Sequence, residues 1–187
     1  MAITSQGEKG DGELCRDLNI NGYLVRPFSA NSFHEAISMV LGSKENDLIT
    51  IHTLKENRRS MAQILLVDDN EINLIIAKKL LNRIGFHTKT ALDGKNAIEL
   101  LKKERFHIIF MDVQMPIMNG LETTRLIRDG AAGKENKTIP IIALTANNTP
   151  ENRENCSIAG MNDFTSKPLK PALMEEEINN FIDWNNL

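Results

Sequence analysis

The sequence predicts an α/β fold: a doubly wound, five-stranded parallel sheet with a short N-terminal appendage. Three observations carry this expectation. From Gln63 onward, short apolar runs alternate with amphipathic stretches about five times, and strict alternation of strand and helix requires parallel strands joined by right-handed crossovers. Several runs are too continuously apolar to be strands with one face in water. Four of the five end in a polar residue, which is what a sheet presenting its carboxyl edge to a ligand would show.

The strand candidates are QILLVD (63 to 68), HTKTA (87 to 91), HIIFMD (107 to 112), IPIIALT (139 to 145) and DFTSK (163 to 167). The first helix is expected over 71 to 84, with Ile72, Ile75, Ile76, Leu80, Leu81 and Ile84 at helical spacing and Gly85 as its stop. The second follows Asp93 and Gly94 and carries Ala97, Ile98, Leu100 and Leu101. The third follows Gly120 through Leu121, Thr124, Leu126 and Ile127. The fourth, ENRENCSIAG (151 to 160), is short and polar. The fifth, from Pro171 to about Phe181, opens with a proline suited to a first helical turn.

Composition bounds the function classes. The 187 residues suffice for one full domain and an appendage. No apolar run approaches the roughly 18 residues that span a bilayer, and MAITSQGEKGDGE lacks the apolar stretch of a secretory signal. A cytoplasmic location without membrane contact is the expectation. Cys15 and Cys156 form no CxxC pair, which argues against a disulfide framework or zinc site. The 22 basic and 25 acidic residues are interleaved, without the basic stripe of a nucleic-acid binder.

At the carboxyl ends the strands present Asp68 and Asp69, Asp112, Thr145 and Lys167. Three clustered carboxylates repel one another unless a cation holds them together. Hard oxygen donors suit Mg²⁺, which keeps waters that a phosphoryl group can replace. One carboxylate can then act as nucleophile towards phosphorus, with Lys167 and Thr145 meeting the phosphoryl oxygens. Taken singly, each residue has a plainer role: Asp68 or Asp69 as a helix cap, Lys167 as a solvated lysine, Thr145 as a strand-end hydroxyl, Pro116 and Gly120 as loop punctuation. Their joint arrival at one edge is what points to a site.

ILLVDDNEIN, FMDVQMPIMNG, IIALTAN and FTSKP, in this order and spacing, resemble the receiver domain of two-component response regulators, in particular receivers fused to hybrid sensor histidine kinases. The resemblance covers about residues 62 to 183. It implies a flavodoxin-like domain in which Asp112 accepts a phosphoryl group from a phosphohistidine. It also implies that Asp69 and Asp112 bind Mg²⁺ directly, that the Gln114 backbone carbonyl is a further ligand, and that Asp68 acts mostly through water. By the same resemblance Thr145 and Lys167 read the phosphoryl oxygens, the rotamer of Phe164 follows Thr145, and the Lys167–Pro168 bond is cis. Gln114 and Asn147 would flank the attacking water and tune phosphate lifetime. The implied partners are the histidine kinase domain of the parent chain and a histidine phosphotransfer protein, with dimerisation left open.

Two other readings differ in chemistry. Aspartyl-phosphate phosphohydrolases place an acid–base Asp two residues after the nucleophile, where this chain has Gln114. A pseudo-receiver would act by binding alone, yet all the acidic residues are present.

Upstream, GYLVRPFSANSFHEAISMVLG (22 to 42) repeats the end of the domain. Aligning Arg26-Pro27 with Lys167-Pro168 sets Tyr23 on Phe164, Phe33 on Met174, Ile37 on Ile178 and Leu41 on Ile182. Residues 1–42 are therefore expected to be the last strand and helix of a truncated upstream receiver. Arg26 in place of lysine makes that unit a candidate for degeneracy. Residues 43–61 read as a linker and 62–187 as the complete receiver. IHTLKE resembles the HxLKG context of phosphotransfer histidines, but Glu56 replaces the glycine and too little chain remains for a helical bundle, so His52 is not expected to carry phosphate.

Overall fold

The computed structural model describes residues 1–7, 10–42, 47–146 and 149–184. The chain divides into two units, Met1–Arg59 and Ser60–Leu187. The first unit holds β1 (Ala2–Thr4), α1 (Asp11–Asp17), β2 (Gly22–Val25), α2 (Ala30–Gly42), β3 (Ile49–Thr50) and α3 (Ile51–Met61), of which Ser60 and Met61 are counted with the second unit. The second holds β4 (Gln63–Val67), α4 (Glu71–Arg83), β5 (His87–Ala91), α5 (Gly94–Lys103), β6 (Ile108–Asp112), α6 (Gly120–Asp129), β7 (Ile141–Thr145), α7 (Pro150–Ala159), β8 (Asp163–Ser166) and α8 (Pro171–Phe181). No helix among the described residues is long and apolar enough to cross a membrane.

In the second unit the strands lie in the order β5-β4-β6-β7-β8, every pair parallel. Side chains alternate across a strand, so each run feeds two cores. Ile64, Leu66, Ile108, Phe110, Ile142 and Leu144 meet Leu74, Ala77 and Leu81 of α4 and Met174 and Ile178 of α8. Leu65, Val67, Ile109, Met111, Ile141 and Ala143 meet α5, α6 and α7 on the other face. That two-sided burial is why these runs carry no polar alternation. Strand order reverses between β4 and β6, so their carboxyl ends border the crevice where this architecture holds ligands.

Local chemistry starts each helix. Asn70, Asp93, Asn119 and Thr149 accept hydrogen bonds from the amides of Ile72, Asn96, Glu122 and Asn152, and α7 and α8 open on proline. The long connection before β7 is pinned: the buried Asn136 side chain donates to the carbonyls of Leu101 and Ala132, and Arg128 donates to those of Gly160 and Lys137.

Two expectations change. The helix over 71 to 83 buries Leu74, Ala77 and Leu81, whereas Ile72, Ile75 and Ile76 are 66%, 51% and 51% exposed. The helix is apolar on more than one side, and the stripe at i, i+3, i+7 faces the sheet. The first sixty residues also carry more regular structure than a strand, a helix and a linker. β1, β2 and β3 form a parallel three-stranded sheet, and most of the expected linker is β3 and α3. Leu24, Ala36, Ile49 and Leu54 form a small core, and Arg58 of α3 pairs with Glu35 of α2 at 2.8 Å. The Arg26–Pro27 and Lys167–Pro168 peptides are both cis.

Candidate functional site

Five polar groups converge on the carboxyl edge of β4, β6, β7 and β8. Asp68 and Asp69 follow β4 and Asp112 ends β6; each offers a carboxylate oxygen, all within 4.8 Å of one another, the one such acidic group among the described residues. Lys167, just past β8, donates to Asp68 Oδ2 at 2.6 Å and Asp112 Oδ2 at 2.7 Å. Thr145 ends β7 and is buried, with its carbonyl accepting the Lys167 amide at 2.9 Å.

Position follows from register. Asp112 pairs with Leu144, one residue short of Thr145, and Thr145 pairs with Ser166, one short of Lys167. The polar residues therefore step along the edge together. Asp68 is held by the Asn70 amide at 2.9 Å and by Asn73 Nδ2 at 3.0 and 3.3 Å, and the Gln114 amide donates to Asp112 Oδ1 at 3.2 Å. Gly120 lies directly beneath: a Cβ there would stand 2.1 Å from the Asp112 carbonyl oxygen. The bare glycine is thus what lets α6 start against the tip of β6.

The charges do not balance within the protein. Asp68 and Asp112 are 2% and 5% exposed and share one ammonium. Burial pushes the Asp112 carboxyl upward, and the Lys167 hydrogen bond and charge and the Gln114 amide only partly offset it, while Asp68 adds repulsion. Burial works to lower the Lys167 ammonium, but hydrogen bonds and charges from Asp112 and Asp68 outweigh it and hold it above its usual range. A cluster of three carboxylates still short of positive charge, built from hard oxygen donors only, fits a small divalent cation.

Phe164 on β8 is partly buried against the core, with the Arg153 guanidinium 4.0 Å from its ring centroid. Asn147 lies outside the described residues. Sequence reasoning overlooked Asn73, whose signal was its place one helical turn past the Asp68-Asp69 pair, and Arg153, which nothing in the sequence distinguished from a solvated arginine. A cavity of about 130 Å³, lined by Asp68, Asn73, the half-exposed Ile76, Ala77, Lys167, Pro168 and Leu169, lies beside the acidic cluster.

The model of the response regulator receiver domain matches residues 64–179. Hybrid signal transduction histidine kinase B of Dictyostelium discoideum is 40% identical over 118 residues, covering 59% of this chain but 6% of that kinase. The chain spans well under two thirds of the curated relatives it matches, 15% in the case of probable histidine kinase 1 of Oryza sativa subsp. indica. Among solved structures, the receiver domain of sensor histidine kinase PA1611 from Pseudomonas aeruginosa PAO1, with a magnesium ion in its active site cleft, is 37% identical with a TM-score of 0.58, over 64% of this chain and 96% of that one. The receiver domain of Ssk1, crystallised with the Saccharomyces cerevisiae histidine phosphotransfer protein Ypd1, is matched at 29% identity and a TM-score of 0.60, over 67% of this chain and 92% of that one.

Proposed function

This chain belongs to the response regulator receiver domain family, and from that premise we propose that its second unit is a phosphoacceptor that takes a phosphoryl group from a phosphohistidine onto Asp112. The observation that carries the reading is the Lys167 ammonium within hydrogen-bond distance of Asp112 at the edge of a three-carboxylate cluster. An Asp112 oxygen attacks phosphorus as the phosphorus–nitrogen bond breaks and its electron pair leaves with the imidazole. Lys167 and the Thr145 hydroxyl then meet the phosphoryl oxygens.

Asp69 and Asp112 would hold Mg²⁺ directly, with the Gln114 carbonyl, and Asp68 through water. The ion would supply positive charge to carboxylate and phosphoryl oxygens that the protein alone leaves undercompensated. Inward movement of Thr145 would make room for Phe164 to change rotamer, drawing it from its place under Arg153 and shifting the population of two surface states. Gln114 and Asn147 would set how readily water reaches the phosphoryl group.

The donor and recipient fit the parent architecture of the relatives. A hybrid histidine kinase would supply phosphohistidine, and a histidine phosphotransfer protein would take the phosphoryl group onward, as the Ypd1 partnership of a similar receiver suggests. Ile76, which lines the cavity beside the site, and Ile72 and Ile75, exposed on the same helix, offer such a partner an apolar landing surface. The decisive experiment is intact mass after incubation with acetyl phosphate, with and without Mg²⁺, on the parent chain and Asp112→Asn. A Mg²⁺-dependent adduct lost in the variant is expected. No adduct on a folded, Mg²⁺-binding protein, given either acetyl phosphate or a phosphorylated kinase, would sink the reading in favour of a pseudo-receiver.

A further inference from the structure

Residues 1–42 of the first unit repeat the end of the second at a constant offset of 141 positions, the distance from Arg26 to Lys167. Under that offset the strand ladders coincide. β1 pairs with β2 as Ala2 with Tyr23, Ile3 with Leu24 and Thr4 with Val25; β7 pairs with β8 as Ala143 with Phe164, Leu144 with Thr165 and Thr145 with Ser166. Any βαβα segment would give parallel strands, so strand direction alone argues little. Register and turn geometry argue more.

The Arg26 amide donates to the Thr4 carbonyl at 2.9 Å, as the Lys167 amide does to Thr145 at 2.9 Å. After the first helix, the Ile20 amide donates to the Cys15 carbonyl at 2.7 Å, as Met161 does to Cys156 at 3.0 Å. Asn19 takes positive φ where Gly160 does. Before the second helix, Phe33 donates to Ser29 at 3.1 Å, as Met174 does to Lys170 at 3.1 Å. Cys15 and Cys156 are each 5% exposed.

The two copies part at both edges of the shared ladder: β2 also pairs with β3, whereas β8 ends its sheet among the described residues, and the other edge differs more. β7 is flanked by β6, with Met111 opposite Ala143 and Asp112 opposite Leu144. β1 is the end strand of its sheet among the described residues. Its apolar side chains show the difference: Met1 and Ile3 are 45% and 42% exposed, whereas their counterparts Ile142 and Leu144 are 0% and 1%. A strand edge bearing apolar side chains is a surface that another strand completes.

We propose that residues 1–42 are the second half of a further receiver, two strands and two helices rather than one of each. The exposed edge of β1 is then the docking surface for the first half of such a domain. The partner's chemistry follows from the register. It is a βαβαβ segment whose third strand is apolar, lies parallel to β1 and ends in an aspartate opposite Ile3. That aspartate would stand beside Thr4 and Arg26 as Asp112 stands beside Thr145 and Lys167. This goes beyond the phosphoacceptor reading and does not depend on it.

The test is a chain in which a copy of residues 62–141 is fused directly ahead of Met1, compared with the parent chain by amide hydrogen exchange. The β1 amides that face away from β2 should gain protection on the order of tenfold or more. Ile3→Asp should abolish that gain in the fused chain while leaving the melting temperature of the parent chain unchanged. β1 amides that exchange equally fast with and without the fused half, whether or not that half folds, would overturn the proposal.

Discussion

Lys167 Nζ lies 2.7 Å from Asp112 Oδ2, although the strands that carry the two residues are separated by β7. The lysine spans the gap because β7 ends in the small Thr145, and the same ammonium also meets Asp68 at 2.6 Å. Lys167→Ala should therefore slow phosphorylation of Asp112 by acetyl phosphate by roughly 10²- to 10³-fold, the scale of losing one preorganised charge at a phosphoryl group. Lys167→Arg should rescue little, since a planar fork cannot place one nitrogen between two oxygens as a compact ammonium does. Adduct formation followed over time by intact mass checks both. Labelling of Lys167→Ala at the parent rate would remove the lysine from the chemistry.

Gly120 should tolerate no side chain. An added Cβ would meet the Asp112 carbonyl oxygen at 2.1 Å and its carbonyl carbon at 2.9 Å. That obstacle is backbone in a strand buried on both faces, so it cannot yield as a flexible side chain would. Gly120→Ala is expected to cost at least about 2 kcal/mol, the upper range for overpacking, and to lower the urea midpoint. An unchanged midpoint would mean that the tip of β6 is softer than the packing implies.

Most of the second unit was legible from the sequence because burial on both sheet faces writes itself as unbroken apolar runs, and each run stops where the edge becomes polar. The convergence of the candidate residues was legible for the same reason: Asp68, Asp112, Thr145 and Lys167 come where the strands end. Other features had no such signal. β1 and β3 are three and two residues long, too short for periodicity to register. α4 carries more apolar residues than its core stripe needs, so spacing alone did not tell Leu74, Ala77 and Leu81 from the exposed isoleucines. Arg153 reaches Phe164 through space rather than through a motif.

That apolar surplus on α4 carries its own prediction. Ile75 and Ile76 are each 51% exposed, and Ile76 lines the cavity beside Asp68 and Lys167. Ile75→Ala with Ile76→Ala, which adds no charge beside the acidic cluster, should leave stability within about 0.5 kcal/mol and leave acetyl phosphate labelling intact. Phosphoryl exchange with a histidine phosphotransfer protein should fall about tenfold or more, as expected for lost apolar contacts at an interface centre. Equal loss with both donors would place the isoleucines in the fold or the chemistry instead of the docking surface.

Stability should also respond to pH through α8, far in sequence from the acidic cluster. Burial of Glu177, then the charges of Asp163 and Glu176, raise its carboxyl from 4.5 to about 7, and its Oε2 is buried without a hydrogen-bond partner. The folded state therefore holds this proton more tightly than the unfolded chain. Below about pH 4.5 both states are protonated and the group is neutral in its effect; as pH rises to about 7 the unfolded carboxyl ionises first, and stability falls. Glu177→Gln should remove that slope and stabilise the protein at pH 8 by roughly 1 kcal/mol, discounted from the full shift because solvent screens a carboxyl that is only partly buried. Urea unfolding of both proteins at pH 5 and pH 8 tests it. A variant no more stable than the parent at pH 8 would show that α8 adjusts to solvate the charge.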